Sequence, residues 1–267
     1  MEPKFEKNSF GKSLKSMITV DLRRMFTQRL LYIMIGICLA VPILILIMTT
    51  MMEGSGSVDP NTGVETVAKG FDTVWQIFGA LPGAGASAGM DMTSMCNINL
   101  LYFGLAVFVG LFVTDDFKSG YVKNLFTVKA RKSDYVISKT IACVIGGTLM
   151  VLAFLIGTLG GGVFSGLPFT YAALTSGNIV MCILAKIFLI AVFVPIFLFV
   201  SILAKQKTWI AIVGGCGVGM LLFSIIPMMS PLDATMMNVL LCLAGGILFT
   251  IVFGSLSKLI LSKKDLI

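Results

Sequence analysis

Six apolar runs decide what this chain can fold into. They are Leu30–Met52, Cys96–Thr114, Val136–Phe164, Asn178–Ala204, Thr208–Ile226 and Thr235–Leu261. A helix needs about 20 apolar residues to cross a hydrocarbon layer of about 30 Å. None of the six runs alternates in steps of two, as the strand of a membrane barrel would. Helices answer the problem economically, because each satisfies its own backbone polar groups in lipid. The expected fold is an all-α membrane protein with six transmembrane helices. Composition agrees: 57% of the 267 residues are hydrophobic and 12% are charged, against about a quarter charged in a soluble domain.

The distribution of charge orients the runs. The formal charge is +7, which by itself would admit a nucleic-acid partner. The basic residues instead cluster in alternate connecting segments. Lys4, Lys7, Lys12, Lys15, Arg23, Arg24 and Arg29 precede the first run. Lys118, Lys123, Lys129, Arg131 and Lys132 lie between the second and third, with Lys139 just inside the third. Lys205 and Lys207 separate the fourth and fifth, and Lys258, Lys263 and Lys264 come last. Segment 53–95 carries Lys69 alone against Glu53, Asp59, Glu65, Asp72 and Asp91. This is the positive-inside pattern. It places both termini in the cytoplasm, makes 53–95 an outer segment and 115–135 a cytoplasmic loop, and leaves no role for nucleic acid. The chain divides into a cytoplasmic N-terminal part, 1–29, and a six-span domain, 30–267. No cleavable signal peptide is expected, since the first apolar run is a full span behind a long basic stretch.

Smaller features follow from spacing. Ser9 to Arg29 reads as an interfacial amphipathic helix, with Phe10, Leu14, Met17, Ile18, Leu22 and Met25 on one face and Lys12, Lys15, Thr19 and Arg23 opposite. Basic residues on the polar face suit an anionic lipid leaflet. Asp21 interrupts the apolar face and marks a protein contact. In the outer segment, Gly54 to Ser57 and Asp59 to Asn61 read as loop, while Val74, Trp75, Ile77, Phe78 and Leu81 recur at helical spacing. The latter predict an interfacial or re-entrant helix. A seventh span over Phe71–Met90 would send the basic loop outside and is rejected. In the cytoplasmic loop, Phe117, Tyr121 and Leu125 form the ridge of a short amphipathic helix, and Lys129 to Asp134 turn the chain. Pro42 and Pro195 are expected to kink their helices. Gly157xxxGly161 and Gly215xxxGly219 fit a small-residue packing pattern, expected within one protomer.

Catalytic chemistry has little material. There is no His, which removes the commonest general base and the usual nucleophile triads. No GxxxxGK[ST] motif cradles a nucleotide phosphate. The six cysteines occur singly, so neither a metal site nor a disulfide framework is indicated. The runs contain essentially no carboxylate of the kind an ion relay needs. One charge stands inside a run: Lys186, about 12 Å below the outer end of the fourth at 1.5 Å per residue. It is a candidate for pairing with an anionic substrate or partner group, with snorkelling towards the interface as the alternative.

From Asp116 to Lys139 the sequence resembles the permease subunits of type-2 ABC transporters. The matching stretches are Asp116-Phe117-Lys118-Ser119-Gly120-Tyr121-Val122-Lys123-Asn124-Leu125 and Arg131-Lys132-Ser133-Asp134-Tyr135-Val136-Ile137-Ser138-Lys139. Asp116 takes the family's acidic position, Gly120 its Gly, Arg131 its Arg, Tyr135 its aromatic residue and Lys139 its Lys. The family's Pro before the Arg turn is replaced by Lys129-Ala130. The resemblance implies a type-2 exporter-like fold with a coupling helix that docks on a separate ATP-binding subunit. Asp116, Phe117, Gly120, Tyr121, Lys123, Leu125, Arg131 and Tyr135 are then the residues expected to carry coupling. It further implies two copies of that ATPase subunit, a second permease subunit, same or related, and lipid around them. ATP and Mg would sit on the partner, with no cofactor and no catalytic residue here. Location in a bacterial plasma membrane and outward transport are carried over from the family, as is a peptide or antimicrobial substrate. Two rivals stand beside this reading: an ion-coupled carrier working alone, supported by Lys186, and a non-transporting membrane scaffold.

Overall fold

A computed structural model describes residues 10–54, 56–58, 65–67, 70–79, 97–127, 131–170, 174–222, 226 and 229–263. These form eight helices: α1 (Phe10–Thr27), α2 (Arg29–Met52), α3 (Asn99–Lys118), α4 (Tyr121–Thr127), α5 (Lys132–Ser165), α6 (Ser176–Ala204), α7 (Thr208–Leu222) and α8 (Met236–Lys263). Among the described residues five helices, α2, α3, α5, α6 and α8, are long and apolar enough to cross a membrane. This is the architecture of a multi-pass membrane protein. α7 has 15 residues, about 22 Å at 1.5 Å per residue. The apolar run predicted there continues to Ile226, but residues 223–225 lie outside those described.

The helices share two ends. Asp116 of α3 meets Tyr135 and Lys139 of α5, and Gly147 of α5 faces Leu105 of α3, so α3 and α5 are antiparallel. α2 and α5 run parallel, since Gly157 faces Leu39 and Gly161 faces Ile43. α7 descends along α3: Thr208 meets Thr114, Gly215 faces Ala106 and Gly219 faces Phe103. α6 and α8 run parallel, through Gly246 against Ala191 and Phe253 against Phe199. One end of the bundle therefore gathers α1, α4, the start of α5, the α6–α7 turn and the end of α8. It holds Arg24, Lys118, Lys123, Lys132, Lys205 and Lys207 and forms the basic end of the bundle.

Glycines set the closest approaches. A Cβ on Gly157 would stand 2.2 Å from the Leu39 carbonyl oxygen, and one on Gly161 2.9 Å from the Ile43 Cα. The small-residue pairs thus pack within the protomer, as their spacing suggests. Pro42 lies inside α2 at this same contact, where its missing N–H leaves a carbonyl one turn earlier without its helical donor.

At the opposite end the structure departs from expectation. Gly56 and Ser57, read as loop, instead belong to a two-stranded antiparallel ladder, β1 (Gly56–Val58) with β2 (Glu65–Val67), Gly56 opposite Val67. Asp59 to Asn61 and Leu81 lie outside the described residues. The helix expected around Trp75 is one 3-10 turn, Val74–Ile77, set by a capping box between Thr73 and Gln76. It is a plug more than an interfacial helix. Val74, Ile77 and Phe78 are buried, Trp75 Nε1 donates to the Phe169 carbonyl at 2.8 Å, and the Phe78 ring meets Phe154 edge-on at 5.7 Å.

Candidate functional site

At the basic end three helices converge on one buried ion cluster. α1 supplies Asp21 and Arg24. Met17, Asp21 and Met25 recur at four-residue spacing and are all buried, so the apolar face of α1 turns onto α5 and carries Asp21 with it. α3 supplies Asp116 from its last turn. α5 has 34 residues, about 51 Å, far more than a membrane core requires. Its first two turns therefore project at the basic end and present Tyr135, Ser138 and Lys139 on one face.

Lys139 Nζ lies 2.7 Å from Asp116 Oδ2 and 2.9 Å from Asp21 Oδ1, and all three side chains are fully buried. Arg24 Nη1 closes on Asp116 Oδ1 at 2.7 Å. The Tyr135 hydroxyl donates to Asp116 Oδ2 at 3.1 Å, and the Ser138 hydroxyl donates to Asp21 Oδ2. Two carboxylates face one ammonium and one guanidinium, so the formal charges cancel. That matters because an unpaired charge in such a site costs several kcal/mol, at about the level of breaking a buried pair. Aromatic rings complete the enclosure: Lys139 Nζ sits 4.0 Å from the Phe112 ring centre and the Arg24 guanidinium 4.2 Å from that of Tyr121, both within cation–π range. Burial opposes the Arg24 charge most strongly of any one cause, but the charge and hydrogen bond of Asp116, together with Tyr121 and Asp21, outweigh it and hold the guanidinium above its ordinary value. Burial first, then the Asp21 carboxylate, pushes the Tyr121 hydroxyl up, so the ring under Arg24 stays neutral through the physiological range.

α4 is tied to this cluster through a turn that needs glycine. Gly120 takes φ of 71°, the left-handed region that side chains disfavour. Beyond it, Val122 is buried and Tyr121, Leu125 and Phe126 are half-buried against the core. The expected outward ridge of Phe117, Tyr121 and Leu125 is thus turned inward, with Phe117 itself 8% exposed. The protomer's own helix ends give this apolar face somewhere to lie. The face left to solvent is polar: Lys118, Ser119, Lys123, Asn124 and Thr127.

The turn expected over Lys129 to Asp134 is also shorter than predicted. Arg131 is the extended N-cap of α5, and Lys132 to Asp134 are already helical; Lys129 and Ala130 lie outside the described residues. The Arg131 carbonyl accepts from the N–H groups of Asp134 and Tyr135, and Asp134 in the first turn suits the positive end of the helix dipole. Lys132 Nζ donates to the Leu261 carbonyl at 2.7 Å, joining the start of α5 to the end of α8.

Of the residues singled out from sequence, Asp116 and Tyr135 enter the cluster directly, with Lys139. Phe117, Gly120, Tyr121 and Leu125 surround it, Lys123 faces outward, and Arg131 opens α5. Lys186 stands apart, beside Tyr102, whose hydroxyl donates to the Lys186 carbonyl at 3.1 Å. Lys186 is 1% exposed, so it does not snorkel; the thiols of Cys182 and Cys242 are its electrostatic neighbours. Sequence reasoning missed Arg24 and Ser138, and reached Asp21 only as an irregularity. That irregularity, an acid on an apolar face, was the available signal. Among the described residues no group of His, Cys, Asp or Glu is placed to hold a metal ion. No family profile, curated protein or solved structure matches the chain.

Proposed function

We propose that this chain is the permease subunit of a type-2 ABC exporter, with six spans and both ends in the cytoplasm. Two such subunits, same or related, would form the translocation pathway between them. ATP and Mg would be handled by two copies of a separate ATP-binding subunit. The observation that carries the reading is the convergence of Asp116, Tyr135 and Lys139, three positions of the family-like motif, in one buried cluster under α4. Such a cluster suits a mechanical role. A push on α4 moves the end of α3 through Gly120, and the ion pairs couple that end to α1 and α5 together. No bond is made or broken here; the groups position helices. The inward turn of Phe117 and Val122 shifts the surface that would meet the ATPase to Lys118, Lys123 and Asn124. The antiparallel course of α7 along α3, from Thr114 to Phe103, supports counting it as a sixth span. Outward movement of a peptide or antimicrobial is the substrate class taken from the family resemblance.

The test is a mild-detergent purification of the tagged chain with mass spectrometry of what accompanies it. The expected result is a stoichiometric P-loop ATPase, lost or uncoupled in Lys123→Glu while the chain still melts normally. A folded, monodisperse chain with no ATPase would overturn the proposal and favour a self-sufficient carrier, with Lys186 the next residue to change.

A further inference from the structure

Between α4 and the α6–α7 turn lies a groove of about 790 Å³. Its rim carries Lys118, Lys123, Lys205 and Lys207, its walls include Leu203 and Ile210, and no carboxylate is among its lining residues. Lys118, Lys123 and Lys207 are exposed. Lys205 takes φ of 52° and ψ of −115°, a backbone conformation rare for a residue with a side chain, and strain of this kind concentrates at ligand sites. Trp209, 67% exposed, stands two residues beyond Lys207, where an aromatic ring marks the membrane–water boundary. The groove thus opens at the level of lipid headgroups, with an apolar lower part and a ring of like positive charge above.

We propose that this groove binds an anionic phospholipid, its phosphate among the lysines and an acyl chain along Leu203 and Ile210. Charge complementarity selects the ligand: the exposed lysines Lys118, Lys123 and Lys207 line one groove and repel one another unless an anion sits between them, and basic pockets between helices on the cytoplasmic side hold acidic headgroups. The apolar wall selects a lipid over a free anion. The inference rests on the basic end facing the cytoplasmic leaflet, and not on any ATPase partner. The site lies between α4 and the α6–α7 turn, so an occupied groove would brace the segment that the coupling argument requires to move.

The experiment uses the purified full chain in detergent, native mass spectrometry, and dioleoylphosphatidylglycerol against dioleoylphosphatidylcholine. Tight retention of phosphatidylglycerol over phosphatidylcholine is expected. A lysine near the surface is worth about fivefold in affinity for an acidic lipid, so Lys118→Gln/Lys123→Gln/Lys207→Gln should bind about a hundredfold more weakly. Lys15→Gln/Arg23→Gln/Lys258→Gln removes the same charge elsewhere and should change binding little. Lys207→Gln alone, expected to lose about fivefold, keeps the test open if the triple variant misfolds. Equal retention of the two lipids, or equal loss in both triple variants, overturns the proposal. So does displacement by inorganic phosphate at matched concentration, which would make the groove a general anion site. Phosphatidylglycerol binding unchanged in the groove variants while an accompanying protein is lost would assign the groove to that protein instead.

Discussion

Lys139 is the residue on which the basic end depends. It touches both Asp21 and Asp116, and it is fully buried, so no solvent compensates its loss. Lys139→Met should leave the cluster one negative charge in excess and cost about 3–5 kcal/mol. Adding Asp21→Asn restores neutrality, leaving Asp116 with Arg24. The double variant should therefore melt higher than Lys139→Met alone, a non-additivity typical of groups in one network. A thiol-reactive dye can follow the melt, because Cys38, Cys143, Cys182 and Cys242 are buried in the fold. A double variant no more stable than Lys139→Met would mean that the cluster is not coupled as its geometry indicates. Position 21 also shows what a local rule can reveal. The acid breaks the amphipathic pattern of α1 because that face meets protein, where a cation waits, instead of lipid.

Among the elements, α2 and α5 owe their contact to two glycines one turn apart. Gly157→Ala would drive a methyl into the Leu39 carbonyl, and overpacking of this kind costs about 1–3 kcal/mol. Gly217→Ala is the matched control: nothing lies within 4 Å of its added carbon, and alanine is the better helix former by up to about 1 kcal/mol. The expected outcome is a lowered melting temperature for the first and an unchanged or raised one for the second. Equal effects would place the close contact elsewhere. Element boundaries were less legible than element type. α5 begins at Lys132 and not at Val136, because its first turns are held by a cluster and by the Leu261 carbonyl instead of lipid. The hairpin of β1 and β2 escaped notice because three-residue strands carry no periodicity to read.

For the whole molecule the path of α7 decides the topology in the membrane, since five crossings and six put the end of α8 on opposite sides. Cysteine at position 233 or 258, in a background lacking the native thiols, should resolve it with an impermeant maleimide on intact cells. Six spans predict that Asp233→Cys labels from outside and that Lys258→Cys labels only after permeabilisation. The reverse pattern, Lys258→Cys labelling from outside and Asp233→Cys only after permeabilisation, would leave α7 as a re-entrant helix and remove one crossing from the proposed topology.

The six apolar runs and the alternation of basic and acidic connections were enough to establish a helical membrane bundle and to suggest its orientation. Both follow from transfer of side chains between water and hydrocarbon, which depends on composition along the chain and hardly on distant contacts. The glycine spacings were legible for a similar reason, as helical periodicity puts residues four apart on one face. Tertiary structure alone decided that Asp21, Arg24, Asp116, Tyr135, Ser138 and Lys139 form one neutral cluster, since they come from three helices separated by up to 118 residues of chain. It also decided that the apolar face of α4 turns inward. Nothing in a seven-residue amphipathic helix says whether its apolar side will meet its own protomer or a partner. That choice belongs to the space left by the neighbouring helix ends, which exists only once they are packed.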